Sequence, residues 1–372
     1  MNFARTDRSA MAQWWWTIDR WTVAALAGLI AFGSLLVMTA SPSVAIHMHD
    51  DRLHFVVRYF AVLPVALAVM FAVSLQNPRT VRRIAVAGFV ISLALLIATP
   101  FFGVEILGAR RWVELGGFSL QPSEFVKPCF AVVCGWLFAK SREQPDFPGQ
   151  WIAVGLFAVI IILLIRQPDL GMSVVVSAVW FTQFFLAGLR IAQAAMVLGL
   201  GAGGLVAAYF ALPHVTSRVD RFFDPASGDS YQVDRAMDAF VHGGLWGVGP
   251  GEGTIKQSLP DAHADFVFAV AGEELGLFVC LVIIVLFAFI VLRGFTRLLQ
   301  ENNLAVVLGA TGLLVQFGLQ AVINMASTLH LMPTKGMTLP FLSYGGSSLL
   351  ALGLGMGMAL ALTRRRFGGE PT

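Results

Sequence analysis

Charge is scarce in this 372-residue chain: Asp, Glu, Lys and Arg make up only 13% of it, while 57% is hydrophobic. That balance excludes an ordinary soluble globule, in which about a quarter of residues are charged. Cysteine is scarce as well. Cys129, Cys134 and Cys280 lie in apolar surroundings with no Cys-x-x-Cys spacing, which speaks for buried packing and against a disulfide or thiolate metal site. The first 20 residues lack a small-residue cleavage site. Trp14, Trp15, Trp16 and Trp21 read instead as an interfacial belt ahead of an uncleaved first helix. The six-glycine run "GGLWGVGPGEGTIK" (243–256) lacks the Gly-Lys-[Ser/Thr] ending of a phosphate loop. It reads as a tight, backbone-exposed turn against a membrane surface. Nucleic acid is not expected as a partner.

The apolar residues fall in uncharged runs near the 20 or so residues that a bilayer crossing needs. They predict an all-α polytopic membrane protein with ten transmembrane helices, roughly 22–40, 56–75, 83–103, 121–139, 150–165, 170–188, 191–212, 265–292, 303–326 and 345–363. The segments lying on the amino-terminal side hold 14 of the 25 basic residues but only 6 of the 22 acids. The basic bias of inner loops then places both termini in the cytoplasm. Residues 1–372 are expected to form one integral membrane domain, with tails at 1–20 and 364–372 and a large outer loop at 213–264 between helices 7 and 8. Within that loop, 231–244 predicts a short helix with Val233, Met237, Phe240 and Val241 on one side. The turns "QPSE" (121–124) and "QPDLG" (167–171) place Pro at a first helical turn, where Ser or Asp169 can cap free amides.

Ionisable groups inside a membrane bundle are costly and normally face the interior in pairs. Most gather at the outer half. Arg110, Arg111, Trp112, Glu124 and Lys127 come from the second outer loop and the helix after it, with Glu124 and Lys127 spaced for an ion pair. Lys335 and Ser343 come from "PTKGMTLPFLSYGGSS" (333–348). Asp265 stands at the amino end of a helix, where either an N-cap or a reactive carboxylate is consistent with its position. Glu273 and Glu274 lie roughly 12–13 Å further along at 1.5 Å per residue, so at most one of them is expected to face the site. Supporting the site or tying helices together suits them better. All seven histidines fall in outer segments. The His47-x-His49 spacing suits a solvated loop better than a metal, and His263 is distinguished by lying two residues from Asp265.

The stretches "GARRWVELGGFSLQPSEFVKP" (108–128), "QPDLG", "LPDAHADFVFAVAGEELG" (259–276) and "LMPTKGMTLPFLSYGGSS" (331–348) resemble the shape, elongation, division and sporulation family of membrane glycosyltransferases, in order and from about residue 20 to 365. The resemblance implies ten transmembrane helices and polymerisation of lipid II, the undecaprenyl-pyrophosphate disaccharide pentapeptide, onto a growing glycan strand. A class B penicillin-binding transpeptidase and other division-machinery membrane proteins are the implied partners, and the bacterial cytoplasmic membrane at the septum the implied place. The family's catalytic aspartate falls on Asp265 in "HADF", its loop tryptophan on Trp112, and its Glu and Lys on Glu124 and Lys127. "PTKGMTLP" is more similar to the division branch than to the elongation branch. Ala264 stands where Thr is usual, and Asp261 where Glu is common.

The chemistry expected from that resemblance is inverting. Asp265 takes the proton of an acceptor hydroxyl. Arg110, Arg111 and Lys127 steady the departing pyrophosphate, together with a divalent cation, Mg2+ or Mn2+, and no organic cofactor. His263, Lys335 and Ser343 join the substrate-binding set, while Asp169, Glu273 and Glu274 support it. An elongation-branch polymerase, a lipid II flippase or a non-catalytic scaffold remains the alternative. The crowding of ionisable groups at one end favours an enzyme.

Overall fold

The computed structural model describes residues 9–47, 51–106, 109–116, 118–223, 231–333 and 336–365. Each expected crossing falls on one helix: α2 (Arg20–His47), α3 (His54–Ser74), α4 (Pro78–Phe102), α5 (Pro122–Glu143), α6 (Gly149–Arg166), α7 (Leu170–Leu186), α8 (Ile191–Ala211), α11 (Val267–Leu298), α12 (Leu304–Thr328) and α13 (Gly346–Leu362). Seven of these are long and apolar enough to cross a membrane by length and composition. Helices α7 and α13 are apolar but shorter. Helix α5 carries Glu124 and Lys127 in its first turns and is buried along most of its length, packed against α4 and α12. Burial by protein on nearly all sides is what lets a charged helix sit in the middle of the bundle. Its neighbours approach closely: a Cβ on Gly135 would come within 2.6 Å of the Gly309 nitrogen on α12, so small residues set that contact.

The connections gather at two opposite ends. At one end α1 (Ala10–Thr17), a helix where a bare tail is expected, packs down when Trp14 Nε1 donates to Ser74 Oγ at 2.9 Å. Arg364 donates to the Ser74 and Leu75 carbonyls, and Asp19 pairs with Arg293 at 2.7 Å and Arg297 at 3.1 Å. Cys129, Cys134 and Cys280 are free and buried in the bundle.

The other end is more structured than the sequence suggests. The second outer segment folds as an antiparallel meander, β1 (Val104–Ile106), β2 (Ala109–Leu115) and β3 (Phe118–Leu120), in an otherwise helical protein. The long loop holds two helices, α9 (Pro213–Phe223) and α10 (Tyr231–Gly243), followed by a 3-10 turn (Ile255–Ser258). The buried face of α10 is Val233, Ala236, Ala239 and Gly243, whereas Met237 and Val241 are exposed. The face is therefore rotated from the expected one: Gly243 and Phe240 meet α11 at Gly272 and Phe268, while Met237 and Val241 turn away.

The largest departure is in α11. It is not continuous from 265, since Gly276 adopts φ 80° and breaks it into a short amino-terminal piece and a long apolar one. A break frees carbonyls before it and amides after it, and buried backbone groups must find partners. The glycine-rich loop supplies them. Val248 and Gly249 donate to the carbonyls of Glu273 and Glu274, while Leu277 and Phe278 donate to those of Gly244 and Leu245. Glu273 and Glu274 thus belong to a loop-covered collar ahead of the long apolar piece.

Candidate functional site

Asp265 sits in the turn just ahead of α11. The carbonyl of Asp261 accepts the N–H groups of Ala264 and Asp265, at 2.9 and 3.1 Å. No side-chain cap bond from Asp265 occurs among the described residues, so the N-cap alternative is not what this carboxylate does. It lies instead against Gly336, where an added Cβ would come within 3.0 Å of Asp265 Oδ2. Burial first and the nearby Asp261 charge second raise the Asp265 carboxyl to a pKa of about 7, against the opposing pull of Arg218 of α9.

The segment carrying Gly336 is fastened to Asp265's turn. Ser343 Oγ donates to the Ala264 carbonyl at 2.5 Å and accepts from Leu339 N–H at 2.7 Å. Tyr344 N–H donates to the His263 carbonyl at 2.8 Å. Asn324, on α12 and fully buried, donates through Nδ2 to the carbonyls of Asp265 and Met337, at 2.9 and 2.6 Å. Ser343 therefore holds the turn in place, with both its donor and an acceptor site already engaged by backbone.

Glu124 and Lys127 form the ion pair their spacing predicts, at 2.9 Å and almost wholly buried. Lys127 Nζ also donates to Gln320 Oε1 at 3.1 Å, and Gln320 Nε2 donates on to the Thr338 carbonyl at 3.0 Å. Thr338 and Ser348 share a hydroxyl hydrogen bond of 2.7 Å. A chain of polar contacts thus runs from α5 through α12 to the two-residue neighbour of Gly336. Glu273 accepts the N–H groups of Thr254, Ile255 and Lys256 and meets His242 Nδ1, and Glu274 pairs with the Lys256 ammonium. Both carboxylates face the loop, where at most one is expected to face a site, because the loop wraps the collar on two sides.

Other expected residues take different positions. Arg111 donates to the carbonyls of Gln167 and Pro168, at 2.8 and 2.7 Å, so its guanidinium ties β2 to the α6–α7 turn. Asp169 caps that turn by accepting from Met172 N–H at 3.2 Å. At the matching "QPSE" turn the serine makes no cap; Gln121 N–H donates to Ser347 Oγ of α13 instead, at 3.1 Å. Arg110 is half exposed and pairs with Glu105 at 3.3 Å. Trp112 is half-buried in β2. Among the described residues no hydrogen bond or ion pair joins any of these three to Asp265. The buried ring of His263 stacks on Phe55 at 4.8 Å and meets Tyr344 at 4.9 Å, and burial pushes its pKa down to about 4. Its ring packs against two aromatic side chains, and burial favours its neutral form. Lys335 and most of the His47–Asp50 segment lie outside the described residues.

Three participants escape a search for charged motifs. Gln320 and Asn324 are one turn apart in an apolar run, which is the signal that two interior amides leave. Arg218 lies on α9, in the unassigned part of the long loop.

A family model described as a cell cycle protein and covering FtsW, RodA and SpoVE matches residues 20–367. The chain is 44% identical over 367 residues to the probable peptidoglycan glycosyltransferase FtsW of Caulobacter vibrioides, covering 98% of this chain and 94% of that one. It is 35% identical over 332 residues to the corresponding protein of Acinetobacter baylyi, covering 87% and 83%. Among solved structures it is similar to a chain of a peptidoglycan synthase complex that coordinates polymerisation and crosslinking, with a TM-score of 0.76, 27% identity and coverage of 93% and 97%. It is also similar to the rod shape determining protein RodA of Thermus thermophilus, with a TM-score of 0.68, 27% identity and coverage of 94% and 97%.

Proposed function

This chain belongs to the cell cycle protein family of FtsW, RodA and SpoVE, and on that premise we propose that it is a multi-pass membrane peptidoglycan glycosyltransferase with Asp265 as its general base. Its substrate is lipid II, polymerised into β-1,4 glycan at the outer face of the cytoplasmic membrane, with both termini in the cytoplasm. The 44% identity to a division-type relative supports a septal role. The likeness to a synthase complex supports a class B penicillin-binding transpeptidase as the partner, beside other division-machinery membrane proteins.

The observation that carries the reading is a half-buried carboxylate with a pKa of about 7, fixed by its backbone on both sides. A base poised near the working pH combines availability with driving force. The acceptor 4-hydroxyl attacks the anomeric carbon of the donor and gives its proton to the Asp265 carboxylate. The α-linked undecaprenyl pyrophosphate leaves from the opposite face, so the new bond is β. Cationic groups steady the charge on the leaving oxygens. Lys127, fixed by Glu124 and Gln320, and Arg110 at the rim serve here; the bidentate contact of Arg111 with two carbonyls makes it a tether of the loop.

A divalent cation fits as a shared ligand of substrate and protein. No group of three His, Cys, Asp or Glu converges among the described residues, but Mg2+ commonly takes one or two carboxylates plus substrate phosphates. Asp261, near enough for its charge to act on Asp265, would hold Mg2+ or Mn2+ jointly with the pyrophosphate. When bound, the ion supplies charge neutralisation at the leaving group.

Purified protein given lipid II, with and without a cognate transpeptidase, should make glycan strands. Asp265→Asn should make none while unfolding at no lower a temperature than the wild type. Wild-type-like polymerisation by that variant would refute the assignment of Asp265.

A further inference from the structure

We infer that Gln320 is a positioning residue for the transfer reaction: it orients the Lys127 ammonium and locks the 336–338 segment that borders Asp265. The inference rests on the glycosyltransferase reading above and extends it to a residue outside the sequence motifs.

The geometry is particular to one side chain. Gln320 is 1% exposed, and both ends of its amide are engaged. Oε1 accepts from Lys127 Nζ at 3.1 Å, while Nε2 donates to the Thr338 carbonyl at 3.0 Å and to Thr338 Oγ1 at 3.3 Å. The two partners come from elements distant in sequence, the first turns of α5 and the loop before α13. Thr338 is two residues from Gly336, which lies against the Asp265 carboxylate, and next to Met337, whose carbonyl Asn324 also holds. Asn324 is one helical turn from Gln320 on α12 and donates to the Asp265 carbonyl as well. The two amides of α12 therefore set how far Lys127 stands from Asp265, one holding the cation and the segment, the other the segment and the base's own backbone.

A lysine ammonium rotates about a flexible stem with three donors. Glu124 alone would leave it free to swing about one contact. The second acceptor, coming from another helix, fixes its direction. Within a bundle core an amide with both ends satisfied rigidifies its surroundings, while one deprived of a partner is costly. A misplacement of about 1 Å at such a centre can lower the rate about 100-fold. Gln320 itself need not touch substrate, so its loss should appear in kcat and not in KM.

The test measures kcat and KM for lipid II polymerisation, together with thermal unfolding, on purified full-length protein. Gln320→Met, isosteric without the amide, should lower kcat at least about tenfold with KM within about twofold. Gln320→Glu, which keeps an acceptor toward Lys127 but loses the donor to Thr338, should recover part of the kcat that Gln320→Met loses. The Lys127→Met, Gln320→Met double variant should lose less than the product of the two single losses, because Gln320 acts in part through Lys127. Wild-type kcat in Gln320→Met, an equal loss in Gln320→Glu, or additive losses in the double variant would each overturn the inference. If Gln320→Met does not fold, Gln320→Asn, one methylene short of Lys127, takes its place with the same expectations. Failure of the wild type to polymerise lipid II would instead strike the glycosyltransferase reading, which separates the two.

Discussion

Gly336 stands against Asp265: a Cβ on that glycine would come within 3.0 Å of Asp265 Oδ2, so the carboxylate would have to give by a few tenths of an ångström. The neighbour it would push is the end of a side chain, so the protein can fold around the addition. The carboxylate cannot stay where it is. Gly336→Val should therefore slow polymerisation at least about tenfold, since small displacements at a reacting group carry large rate penalties. Its unfolding temperature should stay near the wild-type value. Wild-type activity in this variant would mean that the carboxylate tolerates a second position.

The Lys256–Glu274 pair is buried on both sides and runs through Glu274 Oε1, and among the described residues Glu274 Oε2 accepts no hydrogen bond. Removing one member of such a pair leaves an uncompensated charge, at a cost of about 3–5 kcal/mol. Lys256→Met should lower the unfolding temperature markedly. Adding Glu274→Gln should recover most of the loss, because no buried charge then remains. Thermal unfolding of the single and double variants in the same detergent compares them directly. Equal losses would place the effect in packing rather than charge.

Gly276 combines a left-handed φ of 80° with close backbone neighbours: a Cβ there would meet Trp246 C at 2.5 Å and Leu245 O at 2.6 Å. Neither neighbour is a side chain that could turn aside. Gly276→Ala should destabilise the collar by about 2–4 kcal/mol, at the upper end of what single substitutions do. Hydrogen exchange should rise first in Val248, Gly249, Leu277 and Phe278, whose amides stitch the loop to the break. Uniform exchange across α11 would argue against a local collar.

The crossings were legible because a bilayer demands long uncharged runs, and the expected bounds lie close to the ends of α3, α6, α8, α12 and α13, whereas α2 runs on to His47 and α4 starts at Pro78. The break in α11 was not. Its apolar pattern continues on both sides of Gly276, and only the backbone contacts with residues 244–249 distinguish a broken helix from a whole one. Glu124 and Lys127 were legible as a pair from local spacing. Gln320 and Asn324 were not, because their partners lie in elements far away in sequence, and an amide leaves no mark on a charge count. The resemblance in "HADF" drew attention to Asp265. What fixes the residue, though, is the contact with Asn324 and the bonds of Ser343, which no local window displays. Arg111, expected from the resemblance to steady a pyrophosphate, is held by the Gln167 and Pro168 carbonyls, partners that no local window displays. His263 is similar, its ring buried beside Phe55 and Tyr344.

Asp265 should give the reaction its acid limb. Burial first, and the Asp261 charge second, raise its pKa from the usual 3.8 to about 7, with Arg218 opposing. A base must be ionised, so kcat/KM should climb with pH and level off above about 7. Asp261→Asn removes the like charge and should move the limb to lower pH, but only part of the way, because burial is the larger cause. Arg218→Gln should move it upward. The same shift acts on stability with the opposite sign. The folded state holds the Asp265 proton more tightly than the unfolded chain, so this contribution is fully present below pH 3.8 and is lost as pH rises through about 7. Unfolding temperatures should therefore decline across that window in the wild type and less so in Asp265→Asn, measured beside the rate profile. A limb that stays in place in Asp261→Asn would show that the second carboxylate does not reach the first.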